Sequence, residues 1–331
     1  MPKISVIMPV YNSEKNIEKS LISLITQKLS DLEFIIIDDG STDNSLSIIK
    51  DILDKYSSHN NTVTLITREN KGVAATRAEG VKLAQGEYII HFDSDDWVDE
   101  NWLQYLYKKA IEDNADIVIC DYTEVYKRKK IHIHQQHFFS KQRNIEALLT
   151  GQISNMNWDK LVRKSILTEN NITYIKDLNM GEDFLVTLMM IYHSNKISHI
   201  SEPLYYYNKT NQDSLTYNYS KQSLDDILNV TKTAETFLIN NNYLSNVQES
   251  FDYFKLNVRA FFIIHSNGEL GNIKKGLNLY PETNYLINSY NAPKILKIMF
   301  LINKHGLLFL HQPIDKLYFI YRKLRNIKLS M

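Results

Sequence analysis

Four short polar clusters follow apolar runs in the first hundred residues: Pro9-Val10-Tyr11-Asn12, Asp38-Asp39-Gly40-Ser41, Arg68-Glu69-Asn70-Lys71-Gly72 and Asp93-Ser94-Asp95-Asp96. Acids gathered at neighbouring strand ends repel one another unless a cation or hydrogen-bond donors share the place. Asp93 and Asp95 stand at i and i+2, so on an extended backbone both project to the same side. Hard carboxylate oxygens in that arrangement suit Mg²⁺ or Mn²⁺, which keeps waters and takes its other ligands from substrate phosphates. An Asp-x-Asp arises often by chance, but this one directly follows the apolar run Tyr88-Ile89-Ile90-His91-Phe92. The alternative, loop acids capping helices, suits Asp43 and Asp99 better than Asp93 or Asp95. Neither a Gly-x-Gly-x-x-Gly dinucleotide fingerprint nor a phosphate-binding P-loop is present.

The elements that must position these residues alternate in a βα rhythm. Ile4–Val10, Glu33–Ile37, Val63–Thr67, Tyr88–Phe92 and Asp116–Cys120 read as strands with nearly continuous apolar character, as expected when helices cover both faces of a sheet. Helical patterns fit between them at 14–27, 43–56, 72–84 and 99–113, with Ser41-Thr42-Asp43 as cap residues and Gly86 closing the third. The pattern predicts an α/β domain, Rossmann-like, around a mostly parallel sheet flanked by helices. Its ligands are then expected outside the carboxyl ends of the strands. Beyond residue 140 helical patterns dominate, at 142–150, 158–169, 181–195, 221–241 and 246–266, with Ile197–Ser201 and Leu204–Asn208 extended.

Length and charge bound the rest. The 331 residues carry 38 Lys+Arg against 38 Asp+Glu, which argues against a dedicated nucleic-acid binder. A single cysteine, Cys120, excludes a disulfide framework and reads as a small buried residue. The start of the chain shows no secretory signal pattern and no run suits a membrane-spanning helix, so a cytoplasmic protein is expected. The charge is nonetheless segregated: residues 294–331 contain eight Lys/Arg and one acid, Asp315, a net of +7. Such a basic amphipathic segment can lie on an anionic membrane surface or can pack on the core with solvated lysines. His132-x-His134 with His137 could hold zinc, but the stretch is loop-like and has no acid beside it, so a solvated or strand-facing placement is expected.

Taken in order, Ser5 through Asn12, Ile36 through Asp43, and Asn70-Lys71-Gly72 through Arg77 to Asp96 resemble glycosyltransferase family 2, whose members have the GT-A fold and invert the anomeric centre. The resemblance is strong over about the first 125 residues and thins beyond. It implies a UDP-sugar donor: Tyr11 beside the uracil, Asp39 accepting its ring N–H, and Pro9 and Asn12 shaping the pocket. Asn70, Gly72 and Ser94 join that donor set, Arg77 faces the nucleotide or its phosphates, and Asp93 contacts the ribose or donor sugar. Asp95, with Asp93, holds Mn²⁺ or Mg²⁺ against the diphosphate. Gly181-Glu182-Asp183-Phe184 resembles the Glu-Asp element of the family, with Asp183 as catalytic base and Glu182 supporting it, although acids in a first helical turn also simply favour the helix dipole. Trp158, in Asn157-Trp158-Asp159-Lys160, is an acceptor platform or a core residue. Tyr205-Tyr206-Tyr207-Asn208 has Asn208 where the family commonly has Arg, which leaves Lys209 as a substitute for phosphate contact.

The resemblance thus implies a nucleotide-sugar part over 1–125, an acceptor part with the base over 126–220, and a helical C-terminal region over 221–331. The activity expected is a metal-dependent hexosyltransferase acting on a glycan acceptor carried on polyprenyl diphosphate. Its setting would be synthesis of capsule, lipopolysaccharide or a related bacterial surface polysaccharide. The protein is then expected at the inner face of the plasma membrane, held peripherally through 294–331, and a homo-oligomer stays open. Two rival readings remain at this level: a sugar-1-phosphate nucleotidyltransferase, which would normally show a Gly-rich basic N-terminal loop, and a non-catalytic sugar-nucleotide-binding scaffold.

Overall fold

The computed structural model describes residues 1–56, 61–176, 178, 180–211, 221–265 and 269–305. The chain divides into two compact units, Met1–Ser214 and Leu215–Met331. The first is built on a nine-stranded sheet. Its strands are β1 Ile4–Val10, β2 Leu32–Asp38, β3 Thr62–Thr67, β4 Tyr88–His91, β5 Trp97–Val98, β6 Ile117–Val125, β7 Lys130–Ile133, β8 Lys160–Arg163 and β9 Ile197–Asn208. The order across the sheet is β3-β2-β1-β4-β8-β6-β9-β5, with β7 added to β6.

Strands β3, β2, β1 and β4 run parallel, joined by α1 Ile17–Ile25, α2 Ser45–Lys55 and α3 Val73–Leu83. Every residue of β2 is buried, as the continuous apolar run requires of a strand covered on both faces. Leu21 and Leu24 of α1 join Val6, Met8, Phe34 and Ile36 of the strands in the main core. This half matches the sequence expectation element for element.

The other half adds antiparallel neighbours. Residues 158–169, expected as one helix, split into strand β8 and helix α6 Lys164–Glu169. Lys160, Leu161 and Val162 are buried between β4 and β6, and a helix there would leave both neighbours without their backbone partners. The Lys160 ammonium is neutralised by Asp159 at 2.6 Å and donates to the carbonyls of Ser154 and Met156, each at 2.7 Å. Strands β5 and β7 were too short to carry a sequence signal. Helix α4 Trp102–Asp113 follows β5, α5 Lys141–Leu149 precedes β8, and α7 Glu182–His193 leads into β9.

The second unit consists of α8 Lys221–Asn240, α9 Gln248–Ile264, α10 Leu270–Asn278 and α11 Lys294–Lys304. Leu256 and Ile263 of α9 pack with Ile273 and Leu277 of α10 and with Leu296, Met299 and Phe300 of α11. Leu296, Met299 and Phe300 of 294–304 therefore pack inside their own unit, one of the two placements the sequence left open for that part of the basic tail. Residues 306–331 lie outside the described residues. No helix among the described residues is long and apolar enough to cross a membrane.

Gly86, expected to close α3, instead lies in the turn between α3 and β4 and presses on β1. A Cβ there would lie 2.6 Å from the Ser5 nitrogen and 2.7 Å from its hydroxyl. That hydroxyl accepts the Gly86 N–H and donates to Glu33. Gly86→Ala should therefore cost about 1–3 kcal/mol, as overpacking against backbone does. Urea unfolding of the variant beside the native chain measures it, and equal midpoints would contradict the close approach.

Candidate active site

The polar strand ends form one edge of the sheet, and their loops are tied to each other. Asn12, at φ 47°, accepts the Thr42 N–H at 2.8 Å and donates its own N–H to the Ser41 hydroxyl at 3.0 Å. Gly40, at φ 78°, lies so close to the next loop that a Cβ would sit 2.8 Å from the Asn70 nitrogen. Asp39 is buried, accepts the N–H groups of Lys71 at 2.9 Å and Gly72 at 2.8 Å, and pairs with Arg68. Gly72, at φ 86°, then opens α3. Tyr11 stands at the mouth of this strand-end group and is 52% exposed, so its ring is open to a ligand. Pro9 is partly buried at the end of β1, and Asn70 is exposed. Ser94 shares a 2.7 Å hydrogen bond with Ser13, which joins the fourth loop to the first.

Helix α3 carries Arg77 into the interior, where it is 5% exposed. One terminal nitrogen donates to Glu182 at 2.8 Å and to Asp183 at 2.6 Å, and the other donates to Asp93 at 3.0 Å. The guanidinium, expected to face the nucleotide or its phosphates, is turned to three carboxylates. Their charges hold its pKa well above the ordinary value despite burial. Glu182 and Asp183 open α7 behind Gly181, whose φ of 83° lets the chain turn sharply into the helix.

Asp183 also accepts from the Asn157 side-chain amide at 2.7 Å. The same amide donates to the Tyr174 hydroxyl at 2.7 Å, and that hydroxyl bonds His91 at 2.9 Å. Burial, reinforced by Glu182 and Asp93 and opposed by Arg77, raises the Asp183 carboxyl from 3.8 to about 8. A carboxylate placed there is a base poised close to neutral pH. Asn157, Tyr174 and His91 were not singled out as site residues. Asn157 stood next to a more conspicuous tryptophan, and Tyr174 and His91 had no motif to mark them.

Trp158 is not an acceptor platform. It is 1% exposed, stacks on Tyr205 with ring centroids 4.1 Å apart and takes Tyr122 edge-on at 4.8 Å, so neither face is open to a sugar. Lys209 does not replace the missing arginine, because its ammonium lies 4.2 Å from the Tyr207 ring centre and 3.8 Å from Glu124. Asn208 has a positional task instead. Its N–H donates to Asp96 at 2.7 Å and its side-chain amide to the Asp95 carbonyl at 3.1 Å, clamping β9 to the Asp-Ser-Asp-Asp turn.

Asp95 is partly exposed and accepts a hydrogen bond from the Asn211 side-chain amide at 2.7 Å. Among the described residues no Lys or Arg forms an ion pair with Asp95 or Asp96, while Asp93 already has Arg77. Burial and the neighbouring Asp93 charge push the Asp95 pKa up. A carboxylate left without a cation beside two other acids fits a divalent metal. A cavity of about 210 Å³ opens against Asp95, lined also by Asn16, Lys19, Trp97, Asn208 and Thr210. Lys19 lies over the Trp97 ring, 2.8 Å from its centre.

The raised Asp183 pKa has a consequence for stability. Between about pH 4 and 8 the folded chain holds a proton that the unfolded chain releases, so stability falls as pH rises through that window. Asp183→Asn removes this contribution. Denaturant unfolding across the window should show the variant gaining on the native chain as pH rises, and a difference independent of pH would contradict it.

Comparisons with known proteins agree with this geometry. The model of the Glycosyl transferase family 2 matches residues 5–169. EpsH of Bacillus subtilis (strain 168), described as a glycosyltransferase, is 30% identical over 273 residues, spanning 80% of this chain and 76% of EpsH. The crystal structure of S. aureus TarS 1-349 in complex with UDP-GlcNAc superimposes with a TM-score of 0.71 at 22% identity, over 96% of this chain and 91% of that one. The mannosyltransferase PcManGT of Pyrobaculum calidifontis, in complex with GDP-Man and Mn²⁺, gives 0.57 at 14% identity, over 98% and 87%. With the parallel half-sheet, the polar strand ends and these matches in hand, the chain belongs to glycosyl transferase family 2 and is a glycosyltransferase of the GT-A fold.

Proposed function

We propose that the protein transfers a sugar from a UDP-sugar to a glycan hydroxyl with inversion at the anomeric carbon. The observation that carries this reading is Asp183, a partly buried carboxylate held at hydrogen-bond distance from Arg77, whose other terminal nitrogen binds Asp93 of the strand-end turn. A donor anchored at the Tyr11–Asp39 loops would then have its sugar end near Asp93, and an acceptor hydroxyl would meet Asp183. That carboxylate takes the hydroxyl proton while the acceptor oxygen forms its bond to the anomeric carbon. The bond from that carbon to the diphosphate oxygen breaks, and UDP leaves with the electron pair. Asp95, with Asp93, would hold Mn²⁺ or Mg²⁺, which supplies positive charge to the departing diphosphate. Arg77 acts here by fixing the carboxylates rather than by touching the phosphates, and Glu182 sets the charge around the base. The TarS complex with UDP-GlcNAc supports the choice of a UDP-sugar, and the complex of PcManGT with GDP-Man and Mn²⁺ supports a divalent metal.

The setting that accords with the family is assembly of a bacterial surface polysaccharide on a lipid-linked acceptor, with the enzyme peripheral to the inner face of the plasma membrane. Because 294–304 is packed in the second unit, the membrane contact in this reading falls to the basic residues beyond it. Removing 306–331 should abolish binding to anionic vesicles, and unchanged vesicle binding would contradict the membrane role given to that segment.

A UDP-release assay across UDP-Glc, UDP-Gal, UDP-GlcNAc and UDP-GalNAc tests the chemistry. Release of UDP is expected from at least one donor, whereas release of inorganic diphosphate would indicate nucleotidyl transfer and no release a scaffold. Asp183→Asn should still bind UDP while turnover falls by roughly 10²–10⁴-fold, the usual loss of a general base. Asp95→Ala should lose the metal-stimulated part of turnover. Full activity in either variant would overturn the role given to that residue.

A further inference from the structure

Strand β7 and the strands beside it carry a second cluster that the transfer reaction does not use. Asp121 lies on β6 where the pairing with β9 shifts register between Cys120 and Tyr122, and its carboxylate is completely buried. Three imidazoles converge on it from two other segments. His132, on β7, places Nε2 3.2 Å from Oδ2, and His134, just past the strand end, places Nδ1 2.8 Å from the same oxygen. His199, on β9, places Nε2 2.7 Å from Oδ1. The Gln135 N–H donates to Oδ1 at 2.7 Å and fixes the carboxylate plane. The acid that the sequence lacked beside His132-x-His134 is thus supplied from a neighbouring strand.

We infer that Asp121, His132 and His134, with His199 at the second carboxylate oxygen, form a zinc-binding site separate from the Asp95 position. One ligand atom from each of Asp121, His132 and His134 lies within 4.8 Å of the other two. Tetrahedral zinc with bonds of roughly 2.0–2.2 Å to nitrogen and oxygen needs ligand atoms about 3.3 Å apart. Small side-chain rotations reach that spacing, and they are open to His132 and His134, whose side chains are 36% and 73% exposed. Imidazole nitrogen with one carboxylate oxygen is a donor set suited to Zn²⁺ and poorly suited to Mg²⁺. His199 either completes the tetrahedron or serves as the outer partner that orients the carboxylate, and the His137 ring stacks on it at 5.1 Å. A metal here would clip the β6–β7 hairpin to β9.

The test uses the full chain after chelator treatment and reads binding alone. Zn²⁺ is titrated by calorimetry and by competition with a chromophoric chelator, and Co²⁺ is added as a spectroscopic stand-in. The native chain is expected to bind one Zn²⁺ and to give the intense visible bands of four-coordinate Co²⁺. The double variant His132→Ala/His134→Ala should weaken Zn²⁺ by more than the roughly 100-fold that loss of an outer partner costs. Its two side chains face solvent, so the fold should stand. Asp95→Ala should bind Zn²⁺ as the native chain does. Zn²⁺ should also raise the unfolding temperature of the native chain and not of the double variant. Absence of Zn²⁺ binding, equal affinity in the double variant, or loss of binding only in Asp95→Ala would each overturn the assignment and leave a hydrogen-bonded Asp–His cluster. Since no step reads sugar transfer, failure of this site and failure of the transferase reading are distinguishable.

Discussion

The guanidinium of Arg77 sets one positive charge against three carboxylates, Asp93 from the strand-end turn and Glu182 and Asp183 from the start of α7, and that pairing ties the candidate base to the Asp-Ser-Asp-Asp turn. A buried cation of this kind contributes little net stability as a pair, but removing it leaves several uncompensated negative charges in the interior. It therefore acts as a register device, fixing α7 against the donor edge of the sheet. Burial first, and then the Glu182 and Asp93 charges, lift the Asp183 carboxyl against the opposing pull of Arg77. Arg77 thus supplies position, while burial and the neighbouring acids supply basicity.

Around this centre the chain spends its polar contacts on holding loops rather than on leaving groups open. Asp39 braces the turn into α3 through the N–H groups of Lys71 and Gly72. Asp96 is fully buried and receives the Tyr205 hydroxyl and the Asn208 N–H, each at 2.7 Å, so it anchors β9. Asp95 is the acid of that turn that forms no ion pair among the described residues, and Tyr11 is exposed. Division of labour among adjacent residues of the same type separates scaffold from site.

Strands β1, β2 and β4 were legible in the sequence because strands buried on both faces must be continuously apolar. The antiparallel half was not, since β5 and β7 are only two and four residues long. Lys160-Leu161-Val162 carries a charge that looks helical until its buried partner Asp159 is known. Asp183 could be read only through family resemblance, because acids at a helix start have an ordinary reason to be there. Its pairing with Arg77 spans 106 residues and depends on tertiary packing that no local pattern encodes. The choice between platform and core for Trp158 stayed open for the same reason, as its stacking on Tyr205 is set by a distant strand. For the basic tail the sequence left packing and membrane contact open, and the apolar stripe of α11 packs with α9 and α10.

The pH dependence of kcat/KM for UDP release, compared between the native chain and Glu182→Gln, tests the central claim most directly. The free enzyme titrates in that quantity, and Asp183 must be ionised to accept the hydroxyl proton. The native profile should rise through about pH 8. Removing the Glu182 charge should move that rise to lower pH, because Glu182 is one of the charges that hold the Asp183 proton on. A rise that stays in place in the variant, or a rate independent of pH across that range, would contradict Asp183 as the base and the Arg77 cluster as the catalytic centre.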